Sequence, residues 1–151
     1  MKRIISVIAL SALLCAYVDP TTGASEPGRV LKPASIPEKN WQRGHRGVDL
    51  ALDQAGEVLA AGSGTVAFAG VVAGRPSISI DHPDGIRTTY TPVHARVKEG
   101  DSVSEGQVIG TLAHGHPGLH WGVLKGKDHY IDPLSLLDVP EIRLKPVDAR
   151  A

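Results

Sequence analysis

The chain has 151 residues, with 16 basic and 16 acidic side chains and a formal net charge of zero. No basic block stands out, which excludes a nucleic-acid-binding surface of the ordinary electrostatic kind. A single cysteine excludes a disulfide framework, so an exported form of this chain must rely on its core, or on a metal.

Taken in chain order, Lys2 and Arg3 give a positive start. Residues 4–16 form an apolar run of roughly 13, broken only by Ser6 and Ser11. This is the layout of a secretory signal, and it falls short of the ~18 apolar residues of a membrane span. The reading is therefore a secreted or cell-envelope protein without stable membrane insertion. Two cut sites are open, one after Ala16 and one after Ala24. Thr22-Gly23-Ala24 favours the second, giving a signal over residues 1–24. Cys15 follows Leu14, where lipid attachment calls for Gly, Ala or Ser. Residues 25–42 are Pro-rich and read as an extended lead-in. Residues 43–138 read as one domain, and 139–151, with Pro140 and Pro146, as a loosely held tail.

Within the domain nearly every signal is for short strands, at 58–61, 65–69, 77–80, 87–90 and 107–112. Ser77-Ile78-Ser79-Ile80 alternates as a half-buried strand does. Asp84-Gly85 marks a hairpin turn between two runs. Seventeen glycines, eleven prolines and no amphipathic stretch of helical length predict an all-β domain. One short helix is expected at 133–137, with Asp132 as its cap and Pro133 at its first position. Residues 97–110 carry two Gly-centred turns around short strands, the compact unit of barrel-sandwich hybrids, which biotinyl and lipoyl carriers also use. The modified-Lys tip of such carriers has no counterpart here. The expected fold is all-β, a barrel-sandwich hybrid (duplicated hybrid motif) of short antiparallel strands. The stripe Val66, Phe68, Val71 and Val72 is expected in the core. His82 reads as a turn residue, His129 as packing, and Trp41 as a groove or edge residue.

Two segments about seventy residues apart carry the chemistry: His45-Arg46-Gly47-Val48-Asp49 and Leu119-His120-Trp121-Gly122. Two imidazoles and one carboxylate suit a four-coordinate zinc with one position open to water, as in catalytic zinc sites. Residues four apart on an extended strand lie about 13 Å apart, so His45 and Asp49 can share a metal only if the chain bends at Gly47.

His45-x-Gly47-x-Asp49, Val58-x-Ala60, Gly64-x-Val66, Asp81-His82, Thr89-Tyr90, Val97-Lys98-x-Gly100-Asp101-x-Val103, Gly106-Gln107-x-Ile109-Gly110, Leu119-His120-Trp121 and Asp132-Pro133 follow in this order. Together they resemble the lysostaphin-type (LytM-like) zinc endopeptidases over roughly residues 44–137. The resemblance implies a secreted zinc enzyme that cuts peptides of bacterial peptidoglycan. It implies His45, Asp49 and His120 as the Zn2+ ligands.

The family pattern usually has His-x-His where this chain has Gly118-Leu119-His120, and Tyr-x-His where it has Tyr90-Thr91-Pro92. The expectation is a member with both usual catalytic histidine positions replaced and catalysis weakened. His94, two residues beyond Pro92, and His116, two before Gly118, are the candidate substitutes, with Tyr90 orienting substrate or steadying the oxyanion. His114 reads as a solvated loop histidine. The rival reading is a catalytically degenerate module that binds peptidoglycan or regulates another wall hydrolase. A third, a structural zinc site, would take His116 as its fourth ligand.

Overall fold

The computed structural model describes residues 17–138. Most of the expected signal, residues 1–16, and the whole expected tail, 139–151, lie outside the described residues. The elements are β1 (Val30–Lys32), β2 (Val48–Leu50), β3 (Glu57–Leu59), β4 (Gly64–Val72), β5 (Arg75–Asp81), β6 (Ile86–Thr91), β7 (Val93–Ala95), β8 (Ser102–Val103), β9 (Val108–Leu112), β10 (Leu119–Lys125), β11 (His129–Ile131) and a 3-10 helix, Pro133–Leu136. Eight strands form one sheet in the order β1-β2-β10-β6-β5-β4-β8, with β11 also paired to β10. The other three form a sheet in the order β3-β9-β7. Every pairing is antiparallel.

The all-β expectation stands, but the barrel does not. Closure requires the two outermost strands of a sheet to pair with each other. Here the path of the large sheet ends at β1 and β8, and that of the small one at β3 and β7. The domain is two open sheets around a common core. β1 and β8, three and two residues long, make short edges, one of the ways natural sheets limit edge-to-edge association.

The alternation of side chains decides what faces the core. On β10, Leu119, Trp121 and Val123 are buried. On β6, Ile86, Thr88 and Tyr90 are buried, and on β5 Ile78 and Ile80. Val48, Leu50, Val58, Val66, Ile109 and Leu112 complete the cluster. Burying one large aliphatic or aromatic side chain contributes about 1.5–3 kcal/mol, so the core strongly specifies this register. A one-residue slip of β10 would exchange Trp121 for a polar neighbour.

The hydrophobic stripe on β4 is only partly core. Val66 is buried, but Val71 and Val72 are 67% and 54% exposed. They stand where β4 runs out to its hairpin with β5, past the rest of the core. The Asp84-Gly85 turn forms as expected, with Gly85 at φ 82°. The 3-10 helix also forms, and the Asp132 side chain accepts a hydrogen bond from the Leu134 N–H.

His82 is not a simple turn residue. It is buried, its Nδ1–H donates to the Ser63 carbonyl at 2.9 Å, and its Nε2 faces Thr88 Oγ1 at 2.8 Å. Thr88 in turn meets the Tyr90 hydroxyl at 2.8 Å, and that hydroxyl accepts from the Ala61 N–H at 2.9 Å.

Candidate metal centre

The site forms on the face of the large sheet opposite the Trp121 side of β10. Asp49 on β2 lies directly across from His120 on β10, and His120 from Thr91 on β6. Directly opposed residues of an antiparallel pair share a face. The same row continues to Lys32 on β1, paired with Asp49, and to Ser77 on β5, whose hydroxyl lies 2.9 Å from that of Thr91. One row across five strands therefore carries Lys32, Asp49, His120, Thr91 and Ser77.

His45 joins this row from outside the strands. It makes an isolated bridge with Ser35, and the chain bends at Gly47 before β2 begins. The bend brings His45 Nε2 to 3.2 Å from Asp49 Oδ1. Gly47 is needed for a second reason: a Cβ there would meet His120 Nε2 at 2.8 Å. The His120 ring lies across the space a side chain would fill.

The donor set fits a zinc ion. His45 Nδ1 lies 2.9 Å from the Pro33 carbonyl. A carbonyl only accepts, so Nδ1 carries the proton and Nε2 presents its lone pair toward Asp49. Such an outer hydrogen bond is the usual support of a metal-binding imidazole. His120 Nδ1 lies 2.9 Å from Asp49 Oδ1 on the other side. The two rings meet edge-to-face with centroids 4.9 Å apart. One ligand atom from each of His45, Asp49 and His120 lies within 4.8 Å of the others, wider than the ~4 Å that zinc bonds of about 2.0–2.2 Å set for an occupied site. Asp49 is 6% exposed. Burial holds the His120 imidazole below the usual histidine range despite the opposing pull of Asp49. The lowered His120 value suits a site that needs neutral imidazoles.

The cleft above the triad has a volume of about 370 Å3 and is lined by the three triad residues with Lys32, Arg75, Thr91, Pro92 and His116. His116 comes from the loop before β10. Its Nε2 lies 3.5 Å from Asp49 Oδ2, and its Nδ1 lies 2.6 Å from the Gly118 carbonyl. The same carbonyl logic puts a proton on Nδ1 and turns Nε2 toward Asp49 and the cleft.

The other two expected catalytic residues are elsewhere. Tyr90 is fully buried, its hydroxyl is tied to Ala61 and Thr88, and burial pushes its phenol up to about 12. It occupies the core face of β6, whereas its neighbour Thr91 faces the cleft. His94 sits on β7 in the small sheet and lines a different hollow with Val71, Pro76 and Lys98. The strand argument carried it two residues beyond Pro92 on the same side, but the chain passes from one sheet to the other between β6 and β7.

Sequence reasoning missed Lys32, Arg75 and Thr91. Thr91 was within reach, since it alternates with buried Tyr90. Lys32 and Arg75 come from strands whose places in the sheet no local pattern announces. Gly118 has a structural reason: a Cβ there would collide with the Leu50 carbonyl of β2 and with the Leu31 side chain.

The chain is 49% identical over 132 residues to uncharacterized proteins of Mycobacterium tuberculosis and Mycobacterium bovis, covering 82% of itself and 53% of each. It thus spans about half the length of these curated relatives. Among solved structures it is similar to Helicobacter pylori Csd3, with TM-score 0.67 and 30% identity over 82% of this chain and 35% of that one. It is similar to the catalytic domain of the antimicrobial peptidase lysostaphin from Staphylococcus simulans, with TM-score 0.57 and 26% identity over 72% and 88%. It also matches a chain of the SpoIIQ-SpoIIIAH pore forming complex, with TM-score 0.65 and 25% identity over 82% and 92%.

These likenesses correct the expectation of a member defined by its replaced histidines: the His45-Asp49-His120 triad is intact. The model of Peptidase family M23 matches residues 43–133, a stretch that holds all three triad residues and the whole cleft except Lys32, and the chain belongs to that family.

Proposed function

We propose that this protein is an exported, zinc-dependent endopeptidase that acts on peptidoglycan peptides of the bacterial cell wall. The observation that carries the proposal is the intact His-Asp-His cluster on the floor of an open cleft, in a chain of this family. His45, Asp49 and His120 would hold the ion. A zinc ion so held lowers the pKa of a bound water and polarises a peptide carbonyl.

The chain's own side chains do the rest. His116 turns its Nε2 to the cleft wall beside Asp49, with the ring held by its bond to the Gly118 carbonyl. It is placed to accept a proton from the attacking water and return it to the leaving amine. Lys32 and Arg75 put two cations at the rim, and among the described residues Asp49 is the only carboxylate lining the cleft. A cleft of this charge suits a peptide that carries a free carboxylate near the scissile bond, as peptidoglycan stems do.

A second reading, a non-enzymatic module that binds peptidoglycan or regulates a wall hydrolase, draws support from the similarity to a chain of a pore forming complex. One experiment separates the two. Zinc-loaded protein incubated with purified peptidoglycan should release new amino termini, and chelation should stop the release. His120→Ala should lose both the bound zinc, about one per chain in the wild type, and the activity. A zinc-loaded protein that binds the wall yet releases no termini over a day overturns the enzyme in favour of the module.

A further inference from the structure

We infer that the chain is processed between Ala16 and Tyr17, so that residues 17–28 are a permanent part of the folded domain and not part of a discarded signal. The sequence alone favours a cut after Ala24, and the packing of residues 17–24 argues for the earlier site.

Tyr17 is 7% exposed and Asp19 is fully buried. The Tyr17 ring covers Gly62 so closely that a Cβ there would meet it at 2.9 Å. It also packs edge-to-face on the His82 ring, with centroids 5.2 Å apart, while its hydroxyl donates to Asp84 at 2.7 Å. The backbone is stitched in on both sides. The Val18 N–H donates to the Ala61 carbonyl, and the Leu59 N–H donates to the Pro20 carbonyl, each at 2.8 Å.

The Asp19 carboxylate organises the turn that follows. It accepts from the N–H groups of Thr21 and Thr22, from the Thr21 hydroxyl, and from the Gly28 N–H at 2.7 Å. A buried carboxylate with several donors is a built feature. Removal of residues 17–24 would bare the Gly62 and His82 surface, and it would leave the Leu59 N–H and Ala61 carbonyl without these partners.

Ala16 supplies the small residue that signal cleavage requires just before the bond, and the apolar run ends there. Hydrolysis of the Ala16–Tyr17 peptide bond consumes one water. It leaves a carboxylate on Ala16 and a free amine on Tyr17, which then begins the mature chain. The inference rests on export, not on catalysis.

The full-length chain, expressed in an exporting bacterial host and recovered from the cell envelope or medium, is read by amino-terminal sequencing and intact mass. The expected start is Tyr-Val-Asp-Pro. A start at Ser25 overturns the site while leaving export intact. A chain that still begins at Met1, or one lipidated at Cys15, overturns both. As a second reading of the same idea, Tyr17→Ala in the full-length protein should lower the melting temperature of the recovered domain by at least about 5 °C. An unchanged melting temperature would mean that the segment is not part of the fold.

Discussion

His116 and Gly118 show how two residues two positions apart divide structural and chemical roles. Gly118 leaves room for the Leu50 carbonyl, so nothing with a Cβ fits there. Gly118→Ala should destabilise the domain by about 1–3 kcal/mol through forced backbone displacement, measurable by urea unfolding. An unchanged midpoint would show that β10 can shift away from β2 freely. His116 instead reaches the cleft from the loop. His116→Ala should lower kcat by about 10²- to 10⁴-fold, the usual contribution of a positioned acid–base group, while zinc content by elemental analysis stays at the wild-type level. Loss of the zinc as well would make His116 a ligand, and the site a closed, structural one.

At the scale of elements, the site is a product of register. β1, β2, β10, β6 and β5 each contribute one member of a single cross-strand row. Arg75 lies two residues before Ser77, on the same face of β5. Lys32→Ala with Arg75→Ala should therefore weaken a peptide substrate with a free carboxylate about tenfold in KM, roughly 1.4 kcal/mol. The amidated form of the same peptide should change little. Equal losses on both peptides would show that the two cations act on the fold or on any ligand, and not on the carboxylate. Neither side chain is a metal ligand, so bound zinc serves as the control.

For the whole molecule, pH dependence follows from the buried chain of polar groups behind the core. Burial pushes His82 below its ordinary value of 6.5, against the opposing influence of the Ser63 carbonyl and of Asp84 and Asp81. The unfolded state therefore binds the proton more readily than the folded one. The stability that neutral His82 contributes is fully present above about pH 6.5 and is lost as pH falls through the lowered folded value. Metal-free wild type should thus lose melting temperature between pH 7 and pH 5 more steeply than metal-free His82→Gln. The variant should start lower, because it gives up the pairing with Ser63 and Thr88. Parallel slopes for the two proteins would count against a neutral buried His82.

The sequence by itself determined the all-β class of the fold and named the three residues of the His-Asp-His cluster. Alternation in Ser77-Ile78-Ser79-Ile80 and the turn at Asp84-Gly85 are local patterns, and local patterns report strands. The spacing His45-x-Gly47-x-Asp49, with His120 far downstream, named a ligand set because zinc chemistry admits few donor types. What only the tertiary structure decided is which residues become neighbours through strand order. The two sheets stay open because β1 and β8 end the path of the larger one without meeting. Tyr90 points inward because it alternates with Thr91 on β6, and His94 went to the second sheet because the chain crosses between β6 and β7. Lys32 and Arg75 reached the cleft through pairings with no trace in any single strand. His82 and Tyr17 look like a turn residue and a signal remnant until the core closes over them. Hydrophobic alternation says which way a side chain points, but long-range antiparallel pairing chooses its neighbours.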